Sequence, residues 1–271
     1  MRRHPPFPLA GLVGCLLLAA CGPSQVQTSA PRPPASSSSP AAGSAAASAS
    51  PAPPAVGADC LSPAERRGVI HFRASNGADL GGALAGRGSL GVVLAHQSNG
   101  TLCQWWYYAG ELAGRGIRAL AFDFEGSGSS TAGRPVPDSL GLDVAAAVAA
   151  LKKAGAARVV LIGASMGGTA VLCAAAHADP AVVAVVALSG PTSFLGCNAA
   201  AAVPRIRVPL LVAAAAADSP YADAARELYR QATAPGRRLV VVPGNGHGVS
   251  LLLDAPVAGA VDALLEQARS G

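Results

Sequence analysis

Charge is scarce in this 271-residue chain: Asp, Glu, Lys and Arg make up 13 % of it, and the formal net charge is +5 at pH 7. The Lys and Arg residues form no basic cluster, so the composition carries no nucleic-acid footprint. No Gly-Lys-Ser or Gly-Lys-Thr sequence accompanies the glycines around Gly126 and Gly128, and there is neither a dinucleotide glycine motif nor a metal-ligand cluster. The residues predict no cofactor and no metal. Long apolar runs are missing as well. The stretch from Leu9 to Ala20 is too short to persist as a membrane-spanning helix.

That short run has a different reading. Arg2 and Arg3 precede it, the pattern of a secretory signal peptide over residues 1–20. It ends in Leu18-Ala19-Ala20-Cys21, which resembles the lipobox of bacterial lipoproteins, whose cysteine is lipidated and becomes the new first residue. The resemblance implies lipid attachment at Cys21 and anchoring to the outer face of a bacterial cell membrane. An ordinary signal cleaved nearby is the alternative. Residues 21–57 are Pro, Ala and Ser with almost no charge and no large apolar residue after Val26 until Val56, a composition that builds a tether rather than a core. Without Arg2 and Arg3 the exported chain carries about +3. Residues 58–271 suit one domain with a sizeable core.

Within that domain, strand-like runs fall at Gly68 to Ala74, Leu90 to Ala95, Ile117 to Phe124, Arg158 to Gly163, Val182 to Leu188, Leu210 to Ala215 and Arg238 to Val242, with helix-like stretches between most of them. Several runs are continuous Val, Leu, Ile and Ala rather than alternating, as expected of strands covered on both faces. The expectation is an α/β, doubly wound, mostly parallel sheet with helices on both faces.

Gly163-Ala164-Ser165-Met166-Gly167 stands where one such run meets an Ala-rich helix-like segment. It reads as a nucleophile elbow: the chain reverses sharply there, glycines relieve the clash, and the serine hydroxyl lands beside a helix amino end whose free N–H groups can hold an oxyanion. Val92-Val93-Leu94-Ala95-His96-Gln97-Ser98, the segment from Ala121 through Asp123, Gly126 and Gly128 to Ser130, and Val241 to Gly248 around His247 join the elbow in resembling the α/β-hydrolase superfamily. The likeness covers nearly the whole domain and is nearest to capless esterases and dienelactone hydrolases. It implies the α/β-hydrolase fold and a serine, acid, histidine order along the chain.

On that resemblance Ser165 is the nucleophile, His247 the base and Asp218, at a strand end, the acid that orients it. Asp123 is expected to anchor its own turn. His96 is expected to orient the oxyanion loop, while His71 and His177 lie in strand-like and helix-like segments. The oxyanion donors would be the backbone N–H of Met166 and one from the loop, Ser98 or, because Gln97 replaces the usual Gly, Gln97 itself. Trp105-Trp106-Tyr107-Tyr108 cannot all face inward on a helix. The link from Gly190 to Pro209 is too short for a helical cap, which predicts an open site favouring small or extended substrates.

Beyond Cys15 and Cys21, four cysteines remain, an even count that in an exported chain favours two disulfides among three connectivities. Cys173, in the helix after Ser165, is expected to meet Cys197 beyond the adjacent strand, which leaves Cys60 for Cys103. Two functions follow: a serine hydrolase cleaving a small-molecule ester, thioester or amide through an acyl-enzyme, with acyl transfer possible at the same site, or an inactive lipid-anchored envelope protein that keeps only the fold. Oligomeric state is not encoded in any motif.

Overall fold

The computed structural model describes residues 54–177 and 179–271; the expected signal peptide, Cys21 and most of the expected tether lie outside them. Eight strands make one sheet: β1 Val69–Arg73, β2 Asp79–Ala85, β3 Leu90–Ala95, β4 Arg118–Phe122, β5 Arg158–Ala164, β6 Val182–Leu188, β7 Leu210–Ala215 and β8 Arg238–Val242. Their spatial order is β1-β2-β4-β3-β5-β6-β7-β8. Only the β1–β2 and β2–β4 pairings are antiparallel; the other five are parallel.

Helices cover both faces. α2 (Ser139–Lys153), α3 (Met166–Ala175) and α4 (Tyr221–Gln231) lie on one side, and α1 (Cys103–Gly114) and α5 (Ala255–Ser270) on the other. β5 shows why its sequence is unbroken apolar: Val159 and Leu161 enter the first core, while Val160, Ile162 and Ala164 enter the second. Each of the larger side chains contributes on the order of 1.5–3 kcal/mol on burial, so a polar residue has no solvated face to occupy. β3 and β7 are buried along their whole length for the same reason.

One strand has no counterpart in the sequence pattern. β2 reads Asp-Leu-Gly-Gly-Ala-Leu-Ala, and its glycines depress strand propensity. They are there for space: a Cβ on Gly81 would fall 2.1 Å from Ser129 Oγ. The predicted strand Ile117 to Phe124 also stops earlier, at Phe122, because the backbone N–H of Phe124 turns away to donate to His96 Nε2 at 3.1 Å. Val56, inside the stretch assigned to the tether, is 5 % exposed and packs against the second core.

Between β6 and β7 the chain makes only a two-residue ribbon, Ser193–Phe194 with Cys197–Asn198, and short helical turns over Ala199–Ala202 and Val203–Arg205. No large cap domain is inserted there. Both disulfides are present as expected, Cys60–Cys103 with Cα atoms 5.6 Å apart and Cys173–Cys197 with 6.2 Å.

Candidate active site

Parallel strands deliver their carboxyl ends to one edge, and the chemically able side chains gather there. At the tip of β5 Ser165 has φ 51° and ψ −116°, a strained conformation for a residue with a Cβ. The turn holds because its neighbours have no side chain to collide. A Cβ on Gly163 would sit 2.1 Å from Gly167 O, and one on Gly167 would sit 2.1 Å from Ala95 O. The Ser165 N–H donates to Leu188 O at 2.7 Å, tying the elbow to β6. Met166 opens α3, so its N–H has no acceptor within the helix.

Next to the elbow runs the loop after β3. His96 is fully buried, donates from Nδ1 to Gln97 O at 2.6 Å and accepts the Phe124 N–H at Nε2. A backbone donor at Nε2 leaves the proton on Nδ1, and desolvation lowers the ring's pKa, so His96 stays neutral and holds the loop. The Gln97 side chain accepts the Val249 N–H at 2.9 Å, while its own N–H donates to Gln104 Oε1 at 3.0 Å. Ser98 is exposed, and Asn99 beyond it has φ 57°.

Asp218 follows β7 and His247 follows β8. The structure brings them together: Nδ1 of His247 lies 2.9 Å from Asp218 Oδ2 and 3.1 Å from Oδ1. Asp218 is 9 % exposed at its side chain and His247 32 %, so the acid is enclosed and the imidazole open to an incoming molecule. The Tyr221 ring packs on the imidazole with centroids 4.4 Å apart. No hydrogen bond joins the Ser165 hydroxyl to His247 in this structure, although the two share the same sheet edge.

The other candidates take structural places. Asp123 accepts the Leu102 N–H at 2.7 Å through Oδ1 and the Ser129 hydroxyl at 2.7 Å through Oδ2, anchoring its turn as expected. His71 is exposed on β1, and His177 lies 3.7 Å from Asp138. Trp105 is buried in the core, Trp106 donates to Glu65 at 2.9 Å and Tyr107 is 81 % exposed. Tyr107 and Tyr108 instead line an open groove of about 630 Å³ between α1 and the start of α5.

Three residues were missed. Ser189 links Asp218 to the loop that carries His247, Gln104 holds the loop after β3, and Asp143 is a fully buried acid whose Oδ2 accepts the Glu125 N–H at 2.8 Å and whose Oδ1 has no partner. None belongs to a motif. For Ser189 a signal existed in its position directly after a parallel strand, the place that Ser165 also occupies.

A family model described as the alpha/beta hydrolase fold matches residues 92–201. No match was found among curated proteins. Among solved structures, an esterase from Pyrococcus furiosus superposes with a TM-score of 0.64 at 18 % identity, covering 80 % of this chain and 97 % of its own. A hydrolase from Pseudomonas aeruginosa gives 0.61 at 21 %, covering 73 % and 98 %. A dienelactone hydrolase from Anabaena variabilis gives 0.56 at 24 %, covering 72 % and 94 %. With the strand order and the β5–α3 elbow already described, these likenesses establish that the chain has the α/β-hydrolase fold.

Proposed function

We propose that this protein is a serine hydrolase that cleaves carboxylic esters through an acyl-enzyme. The observation that carries the reading is the His247–Asp218 pair, at 2.9 Å, on the same sheet edge as a serine held at positive φ between glycines. In this mechanism Ser165 Oγ attacks the ester carbonyl and its proton passes to Nε2 of His247. Asp218 keeps the other proton on Nδ1 and stabilises the imidazolium. The tetrahedral oxyanion takes the Met166 N–H and one loop N–H; since the Gln97 N–H is already engaged by Gln104, Ser98 is the better placed second donor. Collapse expels the alcohol with the proton from His247. Water then attacks the acyl-enzyme by the same route, and no cofactor or metal enters any step. Thioesters and amides fit the same chemistry, as does an acceptor other than water. The absence of an inserted cap favours short acyl groups, there being little enclosed apolar surface to hold a long chain. We further propose that Cys21 carries a lipid and that residues 22–53 hold the domain off a bacterial membrane.

A fluorophosphonate probe tests the catalytic reading. One adduct is expected, on Ser165, lost in Ser165→Ala. Hydrolysis of a small activated ester should fall at least about 10⁴-fold in Ser165→Ala or His247→Ala, and less in Asp218→Asn. A protein that takes no probe, or a Ser165→Ala variant that still labels, would make it an envelope binding protein that keeps the fold alone.

A further inference from the structure

Ser189 follows the last residue of β6 and is fully buried, with φ 49°. Its hydroxyl donates to Asp218 Oδ2 at 2.7 Å and accepts the Gly248 N–H at 3.1 Å. The same Oδ2 lies 2.9 Å from His247 Nδ1, and Gly248 is the residue after His247. The residue before Ser189, Leu188, accepts the Ser165 N–H. One dipeptide therefore touches the backbone of the proposed nucleophile, the carboxylate of the acid and the loop of the base.

We propose that Ser189 is a positioning residue for the triad, a claim that rests on the hydrolase reading. The Asp218 carboxylate, carried on the turn after β7, can rotate about its Cα–Cβ and Cβ–Cγ bonds, and one hydrogen bond to an imidazole does not fix it. The Ser189 hydroxyl supplies the second bond and fixes the plane in which Asp218 faces His247 Nδ1. By accepting from Gly248 it also sets where the histidine loop begins. A buried serine in left-handed backbone is costly to keep, because the conformation strains any residue with a Cβ. Glycine would relieve that strain, yet glycine has no hydroxyl for Asp218.

Two variants test the role. Ser189→Ala keeps the volume and the strain but removes the oxygen. Ser189→Gly removes both oxygen and strain, so relief of the strain offsets part of what the two lost hydrogen bonds cost in stability. In each, kcat for a small activated ester should fall roughly tenfold or more with KM within about twofold, because orientation acts on the chemical step rather than on substrate binding. The rate of fluorophosphonate labelling should fall in parallel. A role confined to stability would lower the melting temperature and leave kcat of the folded enzyme unchanged. Wild-type kcat in Ser189→Gly overturns the inference, whatever Ser189→Ala does. Ser165→Ala, run alongside, separates the two claims: if it abolishes turnover while the Ser189 variants match wild type, only the positioning role fails. If it retains turnover, the hydrolase reading fails first.

Discussion

Asp143 is the acid that fits its surroundings least. It is fully buried on α2, one oxygen has no partner, and desolvation raises its pKa to about 7, with the nearby Glu125 carboxylate adding to the effect and the Glu125 N–H opposing it. In the unfolded chain the same group titrates near 3.9. Folding therefore favours the protonated form. The protein keeps its full stability below about pH 4 as far as this group is concerned, and loses it as pH rises toward 7 and ionisation has to occur in a buried site. Asp143→Asn, which is neutral at every pH, should be more stable than wild type above pH 7 by on the order of 4 kcal/mol and about equal to it near pH 4, by urea denaturation at both values. An advantage of the variant over wild type that is as large at pH 4 as at pH 8 would refute this. Such a residue was illegible in the sequence, where an Asp among alanines on a helix looks like any solvated acid. Ser165, Asp218 and His247, the residues of the proposed triad, stood out in the sequence because each follows an apolar run in a segment that resembles a known motif. Ser189 and Gln104 act only through neighbours that the fold brings near.

At the scale of elements, the runs that the pattern revealed were those whose burial left one kind of residue possible. β3, β6, β7 and β8 begin and end where the apolar stretches do. β2 escaped because close approach, not hydrophobicity, chose its glycines. The elbow combines both influences. β5 is apolar because two cores claim it, and α3 starts where it does because Gly163 and Gly167 let the chain cross Ala95 and itself. Gly167→Ala should therefore be severe: its methyl would meet the Ala95 and His96 carbonyl oxygens, which belong to backbone and cannot swing aside. The expected outcome is a loss of more than about 2 kcal/mol in urea denaturation together with loss of fluorophosphonate labelling. Near-native stability and labelling would mean that α3 can slide outward at little cost.

For the whole molecule, the proposed lipid anchor makes a separate prediction. Wild-type protein should sediment with membranes, and Cys21→Ser should appear in the soluble exported fraction or stall with its signal attached. Wild-type protein recovered entirely in solution, with an amino terminus other than residue 21, would remove the anchor from the proposal and leave the catalytic reading untouched.

The Cys60–Cys103 bond gives such an anchor a mechanical meaning. The described chain enters the fold at Val56, turns, and within a few residues is covalently fastened to the first residue of α1, just past the loop that carries His96, Gln97 and Ser98. A pull on the amino-terminal end is passed through sulfur into α1 instead of peeling β1 from the edge of the sheet. With the bond reduced, the same pull would fall on the β1–β2 ladder at one edge of the sheet, where β1 has no further strand beside it.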